Sequence, residues 1–152
     1  MKVSGYGISI DLPRGWEGRI YRRPPANAYP ILHAGSFALP HGDGDFGGDA
    51  IASMAEGDVF LALLEYDGAL AGTGLFNEPT LPLPLRVSDL SPAAFPRRIA
   101  GRVGVQRFFT EHRRPFCLYA VIGSADVIPP RAQVKEANRI LRTVSIERLG
   151  AS

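Results

Sequence analysis

Two apolar runs restrict the folds open to this chain more than any other feature. Val59-Phe60-Leu61-Ala62-Leu63-Leu64 and Phe116-Cys117-Leu118-Tyr119-Ala120-Val121-Ile122 hold no charged residue and show no alternation. A strand with one wet face alternates apolar and polar side chains, so an unbroken apolar run predicts a strand covered on both faces. Two such strands need two layers of cover, which the rest of the chain must supply. At 152 residues the chain has the length of one domain, spanning 1–152. That length buries about 70% of the unfolded surface, so neither disulfides nor metal are needed for folding.

The remaining elements follow from local pattern. Tyr6, Ile8, Ile10 and Leu12 fall on one face at period two, which predicts a half-buried strand. Pro13-Arg14-Gly15 then turns the chain, and Trp16 to Tyr21 returns as the second arm of a hairpin. Residues 22–30, with three prolines, read as a loop and Ile31 to Leu39 as a third strand. Asp49 is placed to cap a short helix over Ala50 to Ala55, which Gly57 ends. Ile99 to Phe109 forms another strand, paired with the Phe116–Ile122 run across residues 110–115. Five prolines between Asn77 and Pro96 predict an extended surface connection. Its Pro79-x-x-Pro82 spacing fits a structural role better than a PxxP ligand. Val134, Ala137, Ile140, Leu141 and Val144 recur at helical spacing after Pro129-Pro130, with Arg131, Lys135, Arg139 and Arg142 as an outer basic ridge. Ser145-Ile146-Glu147 ends the fold as a short edge strand. The sum is α/β in composition and α+β in topology: a mainly antiparallel sheet of five to seven strands, flanked by helices on both faces.

Charge is distributed unevenly. No Lys or Arg occurs between Arg23 and Arg86, yet that stretch carries Asp43, Asp45, Asp49, Glu56, Asp58, Glu65, Asp67 and Glu78. An acidic middle between basic ends either neutralises itself within the fold or leaves opposed patches that suit a partner. The N-terminus has no signal-peptide core, and no stretch reaches the length of a membrane span, which predicts a cytoplasmic protein.

No strong catalytic, cofactor or nucleic-acid motif is present. Gly42-Asp43-Gly44-Asp45-Phe46-Gly47 matches GxGxxG by letter, but its carboxylates oppose a pyrophosphate. The same loop offers His41, Asp43, Asp45 and Asp49 as hard ligands suited to Ca²⁺ or Mg²⁺, although the closing bidentate Glu of a calcium loop is absent. The other account is a solvated turn with Asp49 as helix cap. His33, His41 and His112 are too scattered for zinc. The lone Cys117 lies in an apolar run and predicts a buried small hydrophobe. Arg97, Arg98, Arg102, Arg107, Arg113 and Arg114 cluster near aromatic residues, but the net charge of +2 and the lack of a binding-module signature disfavour nucleic acid.

The stretch Tyr6-Gly7-Ile8-Ser9-Ile10-Asp11-Leu12-Pro13-Arg14-Gly15-Trp16, together with Ala137-Asn138-x-Ile140-Leu141 and Ser145-Ile146-Glu147, resembles the two ends of the PsbP-like fold. That fold is shared by the extrinsic PsbP protein of photosystem II, a Ran-binding nuclear import factor and bacterial secretion-effector chaperones. Residues 46–109 are similar to uncharacterised actinobacterial proteins. The resemblance implies a non-catalytic protein-interaction module, an adaptor or chaperone-like binder, and carries over no catalytic residue. The sequence places its partner surface at Arg97, Arg98, Arg102, Arg113 and Arg114. A homodimer joining basic ends to acidic middles is a natural variant. The alternative is a small-ligand or divalent-cation-binding protein, or an enzyme, using the loop 41–49.

Overall fold

The computed structural model describes residues 1–95, 99–126 and 129–150. Its elements run β1 (Lys2–Gly5), β2 (Ile8–Asp11), β3 (Glu17–Arg23), β4 (Asn27–Gly35), α1 (Gly48–Ser53), β5 (Val59–Glu65), β6 (Arg102–Glu111), β7 (Arg114–Gly123), α2 (Arg131–Leu141) and β8 (Ser145–Ile146). They form two antiparallel sheets, one of five strands in the order β3-β4-β5-β7-β6 and one of three in the order β1-β2-β8. No helix among the described residues is long and apolar enough to cross a membrane.

The two apolar runs are the centre of the larger sheet. Every residue of β5 and β7 is buried, and the pair runs in register from Val59↔Ile122 to Glu65↔Phe116. Because successive side chains point to opposite faces, each strand feeds two cores. Val59, Leu61 and Leu63 join Leu118, Ala120 and Ile122 under α2, β2 and β8. Phe60, Ala62 and Leu64 join Tyr119 and Val121 on the other face, where Leu39, Ala50, Ile51, Met54 and Phe95 cover them.

The cover differs between the two faces. On one, α2 buries Val134, Ala137, Ile140 and Leu141, four of the five residues in the stripe its spacing predicts, alongside Ile8, Ile10 and Ile146 of the small sheet; the fifth, Val144, lies past the helix end and is half-buried. On the other, α1 is only six residues long and shares the work with loop side chains. Sequence pattern predicts helices flanking both faces; the second face instead carries mostly irregular chain.

Three local expectations are corrected. The strand near residue 8 and that near residue 17 do not form a hairpin: β2 pairs with β1 and β8, while β3 pairs with β4. The reason is a tighter turn upstream. Tyr6 and Gly7 both have positive φ, 53° and 75°, the geometry of a two-residue hairpin turn, so residues 2–11 close on themselves. Pro13-Arg14-Gly15 still turns the chain, with Trp16 N–H donating to the Pro13 carbonyl, but its arms enter different sheets. The third strand spans Asn27–Gly35 rather than Ile31 to Leu39, so it begins inside the predicted loop. Finally, β6 begins at Arg102 rather than Ile99, and the β6–β7 turn is only His112-Arg113, both at positive φ, so Arg114 already lies within β7.

The proline-rich connection is tied down at three points. Ser91 pairs with Gly104 of β6 through two backbone hydrogen bonds, and Thr110 N–H donates to the Glu78 carbonyl. These contacts occupy the outer edge of β6, which would otherwise be open to another strand. The buried Asn138 of α2 treats Leu85 as a strand neighbour: its Oδ1 accepts from Leu85 N–H at 2.7 Å and its Nδ2 donates to the Leu85 carbonyl at 2.8 Å.

Candidate functional site

The arginines that the sequence groups into a partner surface separate in space. Arg114 is 3% exposed and fully engaged. Its Nε donates to Glu65 Oε2 at 3.1 Å and its Nη2 to Oε1 at 2.6 Å, a bidentate pair with both partners buried. Nη2 also donates to the Tyr6 carbonyl and Nη1 to the Glu147 carbonyl, at 2.8 and 2.9 Å, while the guanidinium lies over the Phe116 ring. This is a correction: Arg114 clasps the small sheet to the large one and offers nothing to a partner. Arg102 is likewise occupied. Its guanidinium donates to the carbonyls of Ile51 and Met54 at the end of α1, where orphan acceptors and the helix dipole favour a cation. Arg113 is exposed at the tip of the β6–β7 turn. Arg97 and Arg98 lie outside the described residues.

Part of the charge segregation is neutralised inside the fold. Two ion pairs, Arg23–Asp45 and Arg114–Glu65, join a basic end to the acidic middle, and a third links Arg107 to Asp89 at 3.1 Å.

The loop 41–49 does not present its four candidate ligands together. Asp43 is buried, and its carboxylate accepts from the backbone N–H groups of Gly44, Asp49 and Ala50 at 2.7, 2.9 and 2.9 Å. It is therefore Asp43, six residues upstream, that caps α1; Asp49 contributes only its backbone N–H there. Asp45 is taken by Arg23, with Asn27 Nδ2 at 3.4 Å from its other oxygen. His41 and Asp49 are exposed. Among the described residues no group of three or more His, Cys, Asp or Glu side chains is placed to hold a metal ion.

What the loop covers is a cluster that the sequence did not single out. Arg19, Tyr21 and Arg23 alternate along β3 and share one face with the buried His33 of β4. Both guanidinium groups lie over the Tyr21 ring, at 5.8 and 5.6 Å from its centroid, and His33 meets that ring edge-on. His33 Nε2 is 2.8 Å from the Asp45 carbonyl. Burial lowers the His33 pKa below its ordinary value, so the ring is neutral and this nitrogen is the donor. Burial also raises the Tyr21 pKa, which keeps its hydroxyl protonated. A cavity of about 180 Å³ opens beside these groups, lined by Arg19, Tyr21, Arg23, Gly42 and Asp43. Period-two alternation of Arg-x-Tyr-x-Arg was the available signal for this face.

The third feature is the outer face of α2. Arg131, Lys135, Arg139 and Arg142 are all exposed, and none is in an ion pair among the described residues. Glu136 on the same helix is engaged by Trp16, whose Nε1 donates to its Oε1 at 2.9 Å. A groove of about 580 Å³ runs along this face, lined by Ala132, Lys135, Glu136, Asn138, Arg139 and Arg142.

The nucleophile candidates are occupied or buried. Cys117 is fully buried and its thiol pKa is pushed up to about 12 by burial, so it stays protonated. Ser36 Oγ accepts from Val59 N–H, and Ser124 Oγ donates to the Asp126 carbonyl. No family model, no curated protein and no solved structure matches this chain.

Proposed function

We propose that the protein is a non-catalytic interaction module, an adaptor or chaperone-like binder, that receives an acidic segment of a partner protein along the outer face of α2. One observation carries this: four exposed cations on one helical ridge beside a groove of about 580 Å³, none of them neutralised among the described residues. Spaced at i, i+4, i+8 and i+11, they lie along about 16 Å of helix at 1.5 Å per residue. Such a ridge steers and orients an anionic chain. The PsbP-like resemblance of the chain ends supports the same class of function, since members of that fold mostly bind other proteins. The divalent-cation alternative has less support, because the Asp43 and Asp45 carboxylates are engaged by backbone N–H groups and by Arg23.

The test uses a fluorescein-labelled ten-residue glutamate-rich peptide, read by anisotropy at low and high salt. The peptide binds at low salt, and Lys135→Glu with Arg139→Glu weakens it by about tenfold or more, because reversing two charges turns attraction into repulsion. Arg113→Glu, at the turn tip, leaves binding unchanged. Peptide binding that ignores the α2 substitutions removes this surface from consideration. Sedimentation of the same variants covers the remaining occupant: a dimer dissolved by the α2 substitutions puts a second copy of this chain in the partner's place.

A further inference from the structure

We propose that the free edge of β3 is an interface between two copies of this chain, paired antiparallel about a two-fold axis at Ile20. The two edges of the large sheet differ. Ser91 and Glu78 occupy the outer edge of β6, whereas no described segment pairs with the outer side of β3. Hydrogen-bond alternation identifies the backbone groups left over. Ser36 N–H donates to the Val59 carbonyl, so Ser36, Ala34 and Leu32 turn their backbone groups toward β5, and Gly35, His33 and Ile31 turn theirs toward β3. Their partners Glu17, Arg19 and Tyr21 are thereby satisfied, and Gly18 and Ile20 aim N–H and C=O outward, as far as the bulge between Tyr21 and Arg23. Neither of these two backbones has another hydrogen-bond partner among the described residues. Gly18 is partly exposed, and with no side chain its exposed surface is backbone.

An open edge offers the same backbone to every strand, and its side chains decide which one fits. Pairing about Ile20 sets Glu17 opposite Arg23, Gly18 opposite Arg22 and Arg19 opposite Tyr21 of the second copy, each twice. The first is an opposite-charge pair and the third a cation–π pair, both favourable across antiparallel strands. Gly18 leaves room for the Arg22 side chain. Glu17 has an oxygen for the contact, because only its Oε1 is engaged, by Leu39 N–H at 3.0 Å. Ile20, whose N–H and C=O point outward, meets its own copy and exchanges both bonds with it. Moving the axis by one residue opposes like charges, Arg19 with Arg19 in one direction and Arg19 with Arg23 in the other, so the charges also fix the register. Arginines on an edge ordinarily keep other strands away. Here Glu17 and the Asp45 bound to Arg23 balance Arg19 and Arg23 on their shared face. A balanced edge favours a second copy over a strongly acidic strand.

This interface is separate from the α2 surface. Sedimentation velocity of the purified chain, from micromolar to millimolar concentration, tests it. A reversible monomer–dimer equilibrium is expected, and the Ile20 amide should exchange more slowly as concentration rises. Ile20→Pro removes the outward N–H without breaking a bond to β4, and should leave the chain monomeric. Ile20→Ala loses the same side chain, retains the N–H and should still dimerise. Glu17→Arg sets like charges opposite each other at both ends of the ladder and should weaken association by about tenfold. Lys135→Glu with Arg139→Glu should leave it unchanged. A chain that stays monomeric throughout, a dimer that Ile20→Pro leaves intact, or wild-type association in Glu17→Arg overturns the assignment.

Discussion

His33 lies within β4 with its imidazole set edge-on against the rings of Tyr21 and Phe60, at centroid distances of 5.4 and 5.2 Å. From the other elements it faces the Asp45 carbonyl, the Asp43 carboxylate and the Arg19 and Arg23 guanidinium groups. Burial is the largest influence on its titration and favours the neutral ring, outweighing the Asp45 carbonyl and the Asp43 carboxylate. Its folded pKa is therefore below the unfolded value of about 6.5. Between those two values the unfolded chain binds the extra proton, so stability from this group is complete above pH ~6.5 and falls as the pH drops below it. Urea unfolding followed from pH 7.5 to pH 5 should show this loss, and His33→Gln should flatten that part of the profile. An unchanged slope in the variant rules His33 out as its source. At this scale the sequence was a poor guide: a histidine in a strand gives no sign of which residues, ten or more positions away, will surround it.

Helix α1 shows the same limit one level up. Its position near residue 50 was legible because Gly47-Gly48-Asp49 ends a flexible loop and Ala50-Ile51 begins an apolar turn. Its cap was not legible, because the adjacent Asp49 obeys the usual capping rule whereas the loop folds back to bring Asp43 onto the same N–H groups. That fold-back depends on Gly47, at φ 72°, whose missing side chain admits the Phe60 ring; a Cβ there would come within 2.2 Å of Phe60 Cζ. Asp43→Ala should thus lower stability by about 2–4 kcal/mol, since it leaves up to three N–H groups without their acceptor. Hydrogen exchange should rise selectively over residues 43–54. The variant also separates capping from cation binding. A cap is lost in metal-free buffer, whereas a calcium ligand shows its loss only when calcium is present. Helix α2 is the contrasting case. Strong periodicity predicted its place and four of the five residues of its buried stripe, because helical pattern is a local property, although the helix ends at Leu141, before Val144.

For the molecule as a whole, the joint between the two sheets is the Arg114–Glu65 pair. Glu65 ends β5, Arg114 begins β7, and the same guanidinium holds the carbonyls of Tyr6 and Glu147 from the chain's two ends. Removing one partner strands the other as a buried charge, so Arg114→Met should cost about 3–5 kcal/mol. Arg114→Met with Glu65→Leu should cost less than the single change, which a double-mutant cycle in urea measures directly. A pair worth nothing would give simple additivity. The amino-acid sequence by itself determined the two central strands, the amphipathic helix α2, the terminal edge strand and the α+β class, because each follows from the period of apolar residues over a short window. The β6–β7 pairing was also expected from the sequence, but only the tertiary structure decided how the first four strands pair, which carboxylate caps α1 and which arginines remain exposed. Arg102, Arg113 and Arg114 look alike in the sequence, yet one closes a helix, one lies open at a turn and one is sealed between sheets. The roles of Arg102 and Arg114 are set by partners 33 to 108 positions away, and no local pattern encodes a contact at that distance.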